Sequence, residues 1–297
     1  SDIDMDGWTD IYVSNDFREN DYLYLNNHDG TFREVSATSL SHSSRFSMGN
    51  DVGDINNDGF PDIMTTDMMP ADEQVIKASV GEDSYEIYKY KLSYGFNYQV
   101  ARNALQLNQG NGVFSDIGWL AGVAATDWSW SPLLVDLDND GNRDVFVSNG
   151  IMRRPNDLDY LNFISNDSAQ RLSDEEMYRH MPPGKVGNFA FRNRGDLTFE
   201  NQSVSWGLNK PGYANGAAYG DLNNDGFVDL VVNNINEPAG IFRNTQTDSL
   251  KRGLTVAFNG YGSNQLGVNT KVFAFSGGSR QYYEVGNARG FQSCSDH

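Results

Sequence analysis

A nine-residue acidic phrase occurs four times in this chain, and its spacing is that of a metal-binding loop. The copies place side-chain oxygens at positions one, three, five and nine. They are Asp2, Asp4, Asp6 and Asp10; Asp54, Asn56, Asp58 and Asp62; Asp136, Asp138, Asp140 and Asp144; and Asp221, Asn223, Asp225 and Asp229. Glycine stands at position six each time (Gly7, Gly59, Gly141, Gly226), and an apolar run follows position nine. A hard cation of calcium's size takes six to eight oxygens in forgiving geometry. Oxygens at alternate residues of a tight loop can turn inward together, and glycine permits the positive φ that the reversal needs. The residue at position seven is expected to give its carbonyl, so its side chain is free to vary. An EF-hand closes its loop with a glutamate at position twelve. Here that position is Val13, Thr65, Val147 and Val232, with strand-like flanks. The bland alternative is an Asp/Asn/Gly turn that binds nothing. Four copies that all keep the ninth-position Asp favour about four Ca²⁺, one per loop. Asn56 and Asn223 remove a charge and keep an oxygen, so weaker binding is expected there, not loss.

The elements that must position these loops repeat with them. Each phrase is followed by a short apolar run: Ile11–Val13, Ile63–Met64, Val145–Val147 and Leu230–Val232. A second phrase with Asn-x-Gly or Asp-Gly between alternating runs follows at 21–32, 103–114 and 188–199, with a worn copy at 239–244. This is a hairpin signal. Each unit therefore reads as four strands: one before the acidic loop, one after it, then a hairpin. Tandem four-stranded sheets are the blades of a β-propeller, and ring closure removes exposed edges. The expected fold is all-β, with blades at about 1–40, 46–118, 127–204 and 213–245. Residues 246–297 read as the start of a small β domain, with strands at 254–258, 272–275 and 281–285 and a linker over 245–249. The chain opens inside a loop, so it is expected to be part of a longer polypeptide. Two insertions, about 67–102 and 151–187, leave between the second and third strands of their blades and emerge on one face. In the second, Ser173 followed by acids predicts a capped helix that Pro182-Pro183-Gly184 ends.

Composition limits the function. The 297 residues carry a net charge of −18, which argues against nucleic acid, since phosphate backbones are met by basic patches. The loops hold 14 of the aspartates, and four Ca²⁺ would bring the charge to about −10. The single cysteine, Cys294, excludes an internal disulfide. No stretch approaches the roughly 18 apolar residues of a membrane helix, and no signal peptide is visible. Calcium in place of disulfides suits an extracytoplasmic setting.

The first insertion is rich in tyrosine, including Tyr85 and Tyr94, and Arg102, Arg153 and Arg154 lie at the insertion edges. The aromatics read either as a local mini-core or as a platform for sugar rings and amphipathic ligands. The arginines read either as salt-bridge pins or as contacts for an anionic ligand. His28, His42, His180 and His297 fall in no catalytic spacing, and no nucleophile, zincin or phosphate-loop motif is present. Catalysis is thus not expected. A polysaccharide lyase or hydrolase stays open as the alternative, because paired carboxylates leave no sequence signature.

The blade phrases resemble FG-GAP/VCBS repeats, as in integrin α-subunit propellers and many bacterial surface proteins. Gly267–Val272, Gly277–Tyr282 and Gly290–Ser293 resemble the start of an ASPIC/UnbV domain. Ser14–Tyr22, Arg45–Asn50, Thr126–Pro132 and Arg153–Tyr160 resemble the long VCBS/ASPIC proteins of Bacteroidetes. The resemblance implies a ring of commonly seven blades, of which these four are the C-terminal part, and calcium ligands at the sixteen loop positions. It implies a secreted, cell-surface or outer-membrane protein of a Gram-negative bacterium. The expected role is an adhesive or protein- or glycan-capturing scaffold, with an outer-membrane transporter complex as a further partner. A second alternative is a structural spacer that presents the ASPIC-like module.

Overall fold

Each acidic phrase folds as a turn that hands the chain into a strand rich in β-branched and aromatic residues. The structure, a computed structural model, describes residues 1–294 apart from 18, 82, 168, 247–252, 261 and 287. In the first unit, β1 (Ile11–Val13), β2 (Tyr22–Asn26) and β3 (Phe32–Glu34) form an antiparallel sheet, followed by the one-turn helix α1 (Ser36–Ser39) and a short β4 (Ser43–Ser44). The second unit is β5 (Asn50–Gly53), β6 (Asp62–Thr65), β8 (Ala104–Asn108) and β9 (Phe114–Asp116). Its insertion carries α2 (Glu73–Ala78), α3 (Tyr85–Ser93) and β7 (Gln99–Val100), and the short α4 (Gly118–Ala121) follows β9. The third unit is β10 (Ser129–Val135), β11 (Asp144–Asn149), β12 (Phe189–Asn193) and β13 (Phe199–Asn201), with α5 (Leu158–Ile164) and α6 (Asp174–His180) in its insertion. The fourth is β14 (Ala214–Gly220), β15 (Asp229–Asn234) and β16 (Gly240–Phe242).

The second and third sheets have the four strands expected, in order β5-β6-β8-β9 and β10-β11-β12-β13, all antiparallel. The first and fourth have three. In the first, the earliest described strand is β1, which follows the acidic phrase. After β16 no fourth strand forms among the described residues. Register fixes each loop: Gly53 pairs with Asp62, Val135 with Asp144 and Gly220 with Asp229, so position nine always sits opposite the residue before position one.

Neighbouring sheets lie face to face, and the core is divided among three interfaces. Ile3, Leu23, Val35, Leu40, Ile63 and Phe114 join the first and second sheets. Ile55, Leu105, Val123, Val145, Phe191 and Phe199 are among those joining the second and third. Leu133, Leu137, Phe146, Leu208, Leu230 and Val232 are among those joining the third and fourth. The inner strands β10 and β11 are buried along their length, which explains their continuous apolar runs.

Both insertions leave between second and third strands as expected. They touch one another through a bridge between Ser79 and Asp157 and a 2.9 Å bond from Val80 N–H to the Asn156 carbonyl. Ser173 caps α6 in a reciprocal capping box with Glu176. The expected mini-core is found only in part: Tyr88 and Phe96 are half-buried and Tyr88 tilts against Tyr98 at 6.3 Å, while Tyr85, Tyr90, Tyr94 and Tyr98 are 55–69% exposed. At the C-terminal end, β17 (Lys271–Ser276) and β18 (Ser279–Glu284) form the hairpin expected around Gly277-Gly278. Leu254–Phe258 is a correction: it pairs into no sheet among the described residues, and Leu254 is 79% exposed. Alternation alone, with no partner edge, does not make a strand. Residues 247–249 of the expected linker lie outside the described residues.

The segment after β18 runs along β5 and β10, the first strands of the second and third sheets. Arg289 is buried against Asp51 of β5 at 2.8 Å, Phe291 N–H donates to Ser131 Oγ of β10 at 3.1 Å, and Phe291 packs on the Trp130 ring at 5.0 Å. Among the described residues, no helix is long and apolar enough to cross a membrane.

Candidate metal centre

The four loops share one hydrogen-bond scheme, built mainly by the aspartates at positions one, five and nine. At position one, each carboxylate spans the turn. One oxygen accepts the N–H of position five (Asp6 to Asp2, Asp58 to Asp54, Asp140 to Asp136, Asp225 to Asp221, at 3.1–3.2 Å). The other accepts the glycine N–H at position six, at 2.8–2.9 Å. Position five then accepts the N–H of position seven. Glycine at position six has φ between 85° and 101°, so the expected reversal is there. Position four also has positive φ: Met5, Asn57, Asn139 and Asn224 lie at 52–63°. The signal for that second reversal was in the sequence, since Asn tolerates this region and stands there in three of four copies.

Position nine does something the spacing alone did not reveal. Asp62 Oδ2 accepts from Ile55 N–H and its Oδ1 from Asn108 N–H at the end of β8. Asp144 does the same with Leu137 and Asn193, Asp229 with Leu222 and Asn244, and Asp10 with Ile3 and Asn26. Each ninth-position carboxylate thus ties its loop to the far end of the strand paired with the one it opens: β2, β8, β12, and the residues just past β16. The last three return the link across the interface: the Asn108, Asn193 and Asn244 amides donate to the carbonyls of Ile3, Ile55 and Leu137 in the preceding loop.

Around these turns the acids crowd. Carboxylate oxygens of Asp2, Asp4 and Asp10 lie within 4.8 Å of one another, as do those of Asp136, Asp138 and Asp144. In the second and fourth loops Asn56 and Asn223 donate to Asp58 and Asp225 at 2.9 and 2.8 Å. Burial pushes Asp62 and Asp144 up to about 8 and Asp136 to about 6, and neighbouring carboxylates push the same way. Basic side chains face the first and third loops, and the Arg280 guanidinium lies against Gly59 of the second. Arg192 reaches Asp138 at 2.8 Å and Asp140 at 3.0 Å, His28 meets Asp6 at 2.5 Å and stacks on Trp8, and Lys271 pairs with Asp2. The donor set fits a hard divalent cation: convergent, anionic, all oxygen, with the turn's own N–H groups holding the carboxylates in place. A carboxylate oxygen that accepts a single backbone bond retains a lone pair for a cation, whereas Asp10 Oδ2, Asp140 Oδ1 and Asp2 Oδ2 each already meet two donors.

The candidate ligand-binding residues outside the loops are dispersed. Tyr85 and Tyr94 stand at opposite ends of α3, Tyr94 tilted against Tyr90 at 4.6 Å and Tyr85 beneath Lys89. Arg102 is tied to Asp116 at 2.6 Å in a cluster with His42 and the Trp119 ring. Arg154 grips both oxygens of buried Asp127 at 2.7 and 2.8 Å. Arg153 donates to the Met181 carbonyl and covers the Tyr178 ring. Arg102 thus ties the end of the first insertion to β9, Arg154 ties the second insertion to the segment before β10, and Arg153 braces the second insertion within itself.

FG-GAP-like repeats are found in the chain: that family matches residues 2–65 and 94–147, which include the first three acidic loops. Cartilage acidic protein 1 of Homo sapiens is 38% identical over 71 residues, 24% of this chain. The matched stretch spans 11% of that relative's length.

Proposed function

We propose that the chain is part of a calcium-stabilised extracellular binding scaffold, a binder and not a catalyst. The observation that carries this reading is the loop scheme, reproduced four times, with the ninth-position aspartate buried in every loop and the acids of the first and third loops crowded together. Four cations, one per loop, would neutralise those acids and lock each turn to the strand end that its ninth position holds. FG-GAP-like repeats are typical of extracellular domains. The sheets are read as part of a closed ring of seven blades. Position two of the loop supports that closure: Ile3, Ile55 and Leu137 are buried under the next sheet, whereas Leu222 is 57% and Ile241 71% exposed on the outer face of the fourth. In a ring, a further blade would cover both.

The ligand is read as a protein or glycan of the cell surface, met by the linked insertions with their exposed tyrosines; capture for an outer-membrane transporter is one form of that role. Attachment to the surface of a Gram-negative cell and an ASPIC/UnbV-like module over 246–297 belong to the same proposal.

Calcium removal tests the foundation. Adding EDTA to purified protein should lower Tm by more than 10 °C, about 6 kcal/mol or more for a chain of this size. Excess Ca²⁺, but not Mg²⁺, should restore it. Elemental analysis should find close to four calcium ions per chain, and an unchanged melting curve would leave the loops as ordinary turns. Glycan and protein arrays probed with and without chelator then test the binding role, which equal capture in both conditions would contradict.

A further inference from the structure

On the calcium reading of the loops, we propose that the asparagine at position four is a positioning residue that couples one site to the next, so that calcium in one loop prepares its neighbour. Asn57 stands between two expected ligands of the second loop, Asn56 and Asp58, in left-handed backbone at φ 59°. Its side chain reaches out of that loop. Asn57 Nδ2 donates to the Gly141 carbonyl at 3.0 Å and to Asn142 Oδ1 at 3.1 Å, both in the third loop. Asn139, between Asp138 and Asp140 at φ 52°, repeats the move and donates to the Gly226 carbonyl of the fourth loop at 3.1 Å.

These bonds land on a peptide that already holds a ligand. The Gly141 carbonyl and the Asn142 N–H belong to one planar group, and that N–H donates to Asp140 Oδ1 at 2.9 Å. In the fourth loop the Gly226 carbonyl shares its peptide with the Phe227 N–H, which donates to Asp225 Oδ1 at 3.0 Å. A cation that fixes positions three and five of one loop therefore fixes the asparagine between them. That asparagine in turn fixes the peptide that holds position five of the next loop. Contiguous hydrogen-bond networks of this kind carry coupling between sites, and here the network runs from the second loop through the third to the fourth.

The first loop breaks the pattern. Its fourth position is Met5, in the same left-handed backbone at φ 63° but with no amide to give. At Gly59, where the corresponding bond would land, the neighbour is instead the Arg280 guanidinium of the β17–β18 hairpin. The first site should therefore fill independently of the other three.

The glycine N–H at position six, bonded to the position-one carboxylate, gives every loop its own reporter. Calcium titrations of the intact chain carrying isotope-labelled glycine, followed by amide NMR, read the four sites separately. Asp58→Ala impairs the second site. It should raise the calcium needed to half-saturate Gly141 by about fivefold or more and leave Gly7 unmoved. Repulsion between like cations in adjacent loops would act in the opposite direction. Asn57→Gly removes the amide yet suits left-handed backbone, and should raise the Gly141 midpoint likewise. Adding Asp58→Ala to Asn57→Gly should then change nothing further at Gly141, whereas an asparagine that merely braces the third loop would leave the Asp58→Ala effect intact. Asp6→Ala in the first loop should leave Gly59 unmoved, because Met5 passes nothing on. If Asp58→Ala unfolds the chain, the smaller change Asp58→Asn takes its place. An unmoved Gly141 midpoint in the position-58 variant, or a full effect of that variant surviving in Asn57→Gly, overturns the coupling while the calcium sites stand. Calcium that shifts none of the four loop glycines overturns both.

Discussion

Single carboxylates carry two jobs in this chain, and substitution can separate them. Asp144 satisfies the buried N–H groups of Leu137 and Asn193, so Asp144→Ala leaves two donors stranded. At about 1–3 kcal/mol for each unmet group, partly offset by no longer burying a carboxylate, the loss should be about 2–4 kcal/mol. It should appear in urea unfolding with calcium and with chelator alike. Asp138→Asn copies what Asn56 and Asn223 already do in the sister loops, and should cost stability only in calcium, seen as a weaker Ca²⁺ titration. If the two variants behaved identically, the division between backbone anchor and cation ligand would fail. Arg154 is a third residue of this kind. Its paired bonds neutralise Asp127, buried in left-handed backbone at φ 92°. Arg154→Ala strands that charge and should cost about 3–5 kcal/mol in equilibrium unfolding, with no change in calcium stoichiometry.

At the scale of the element, acidic spacing and the 2-residue period made the loops and hairpins legible, because both depend on neighbours in sequence. The capping box at Ser173 was readable for the same reason. Ser173→Ala should cost about 1 kcal/mol of local stability in α6, measured as faster amide exchange there with an unchanged global melt. What sequence could not supply was partnership. Leu254–Phe258 alternates like a strand and finds no edge, whereas Arg289 in a plain stretch becomes a buried ion pair. The tyrosines of the first insertion suit a core or a surface by sequence, and the fold divides them, with Tyr88 half-buried and Tyr85, Tyr90 and Tyr94 exposed. The second role of position nine was hidden for a related reason, since Asn108, Asn193 and Asn244 lie 15–49 residues beyond the aspartates they bond.

Over the whole molecule, buried acids outside the loops set a pH response of their own. Asp21 accepts from Asn15 N–H, Ser47 and Tyr12, and burial pushes it up to about 6. A folded-state pKa above the unfolded one means that the native state holds the extra proton. Stability from this group is full below about 4 and is lost as pH rises through about 6. Asp21→Asn should therefore be the more stable protein at pH 7, with an advantage on the order of 2–3 kcal/mol that fades by pH 4. Paired urea curves across that range check it, and an advantage independent of pH would contradict it. The bridge from Ser79 to Asp157 has a further consequence. It fastens two excursions that belong to different sheets, and α3 lies exposed beside it. A protease that nicks α3 once should produce two bands under denaturing conditions and still one intact particle by native sizing. Such a surface can be cut, and then recut by evolution into new loops, without the frame coming apart.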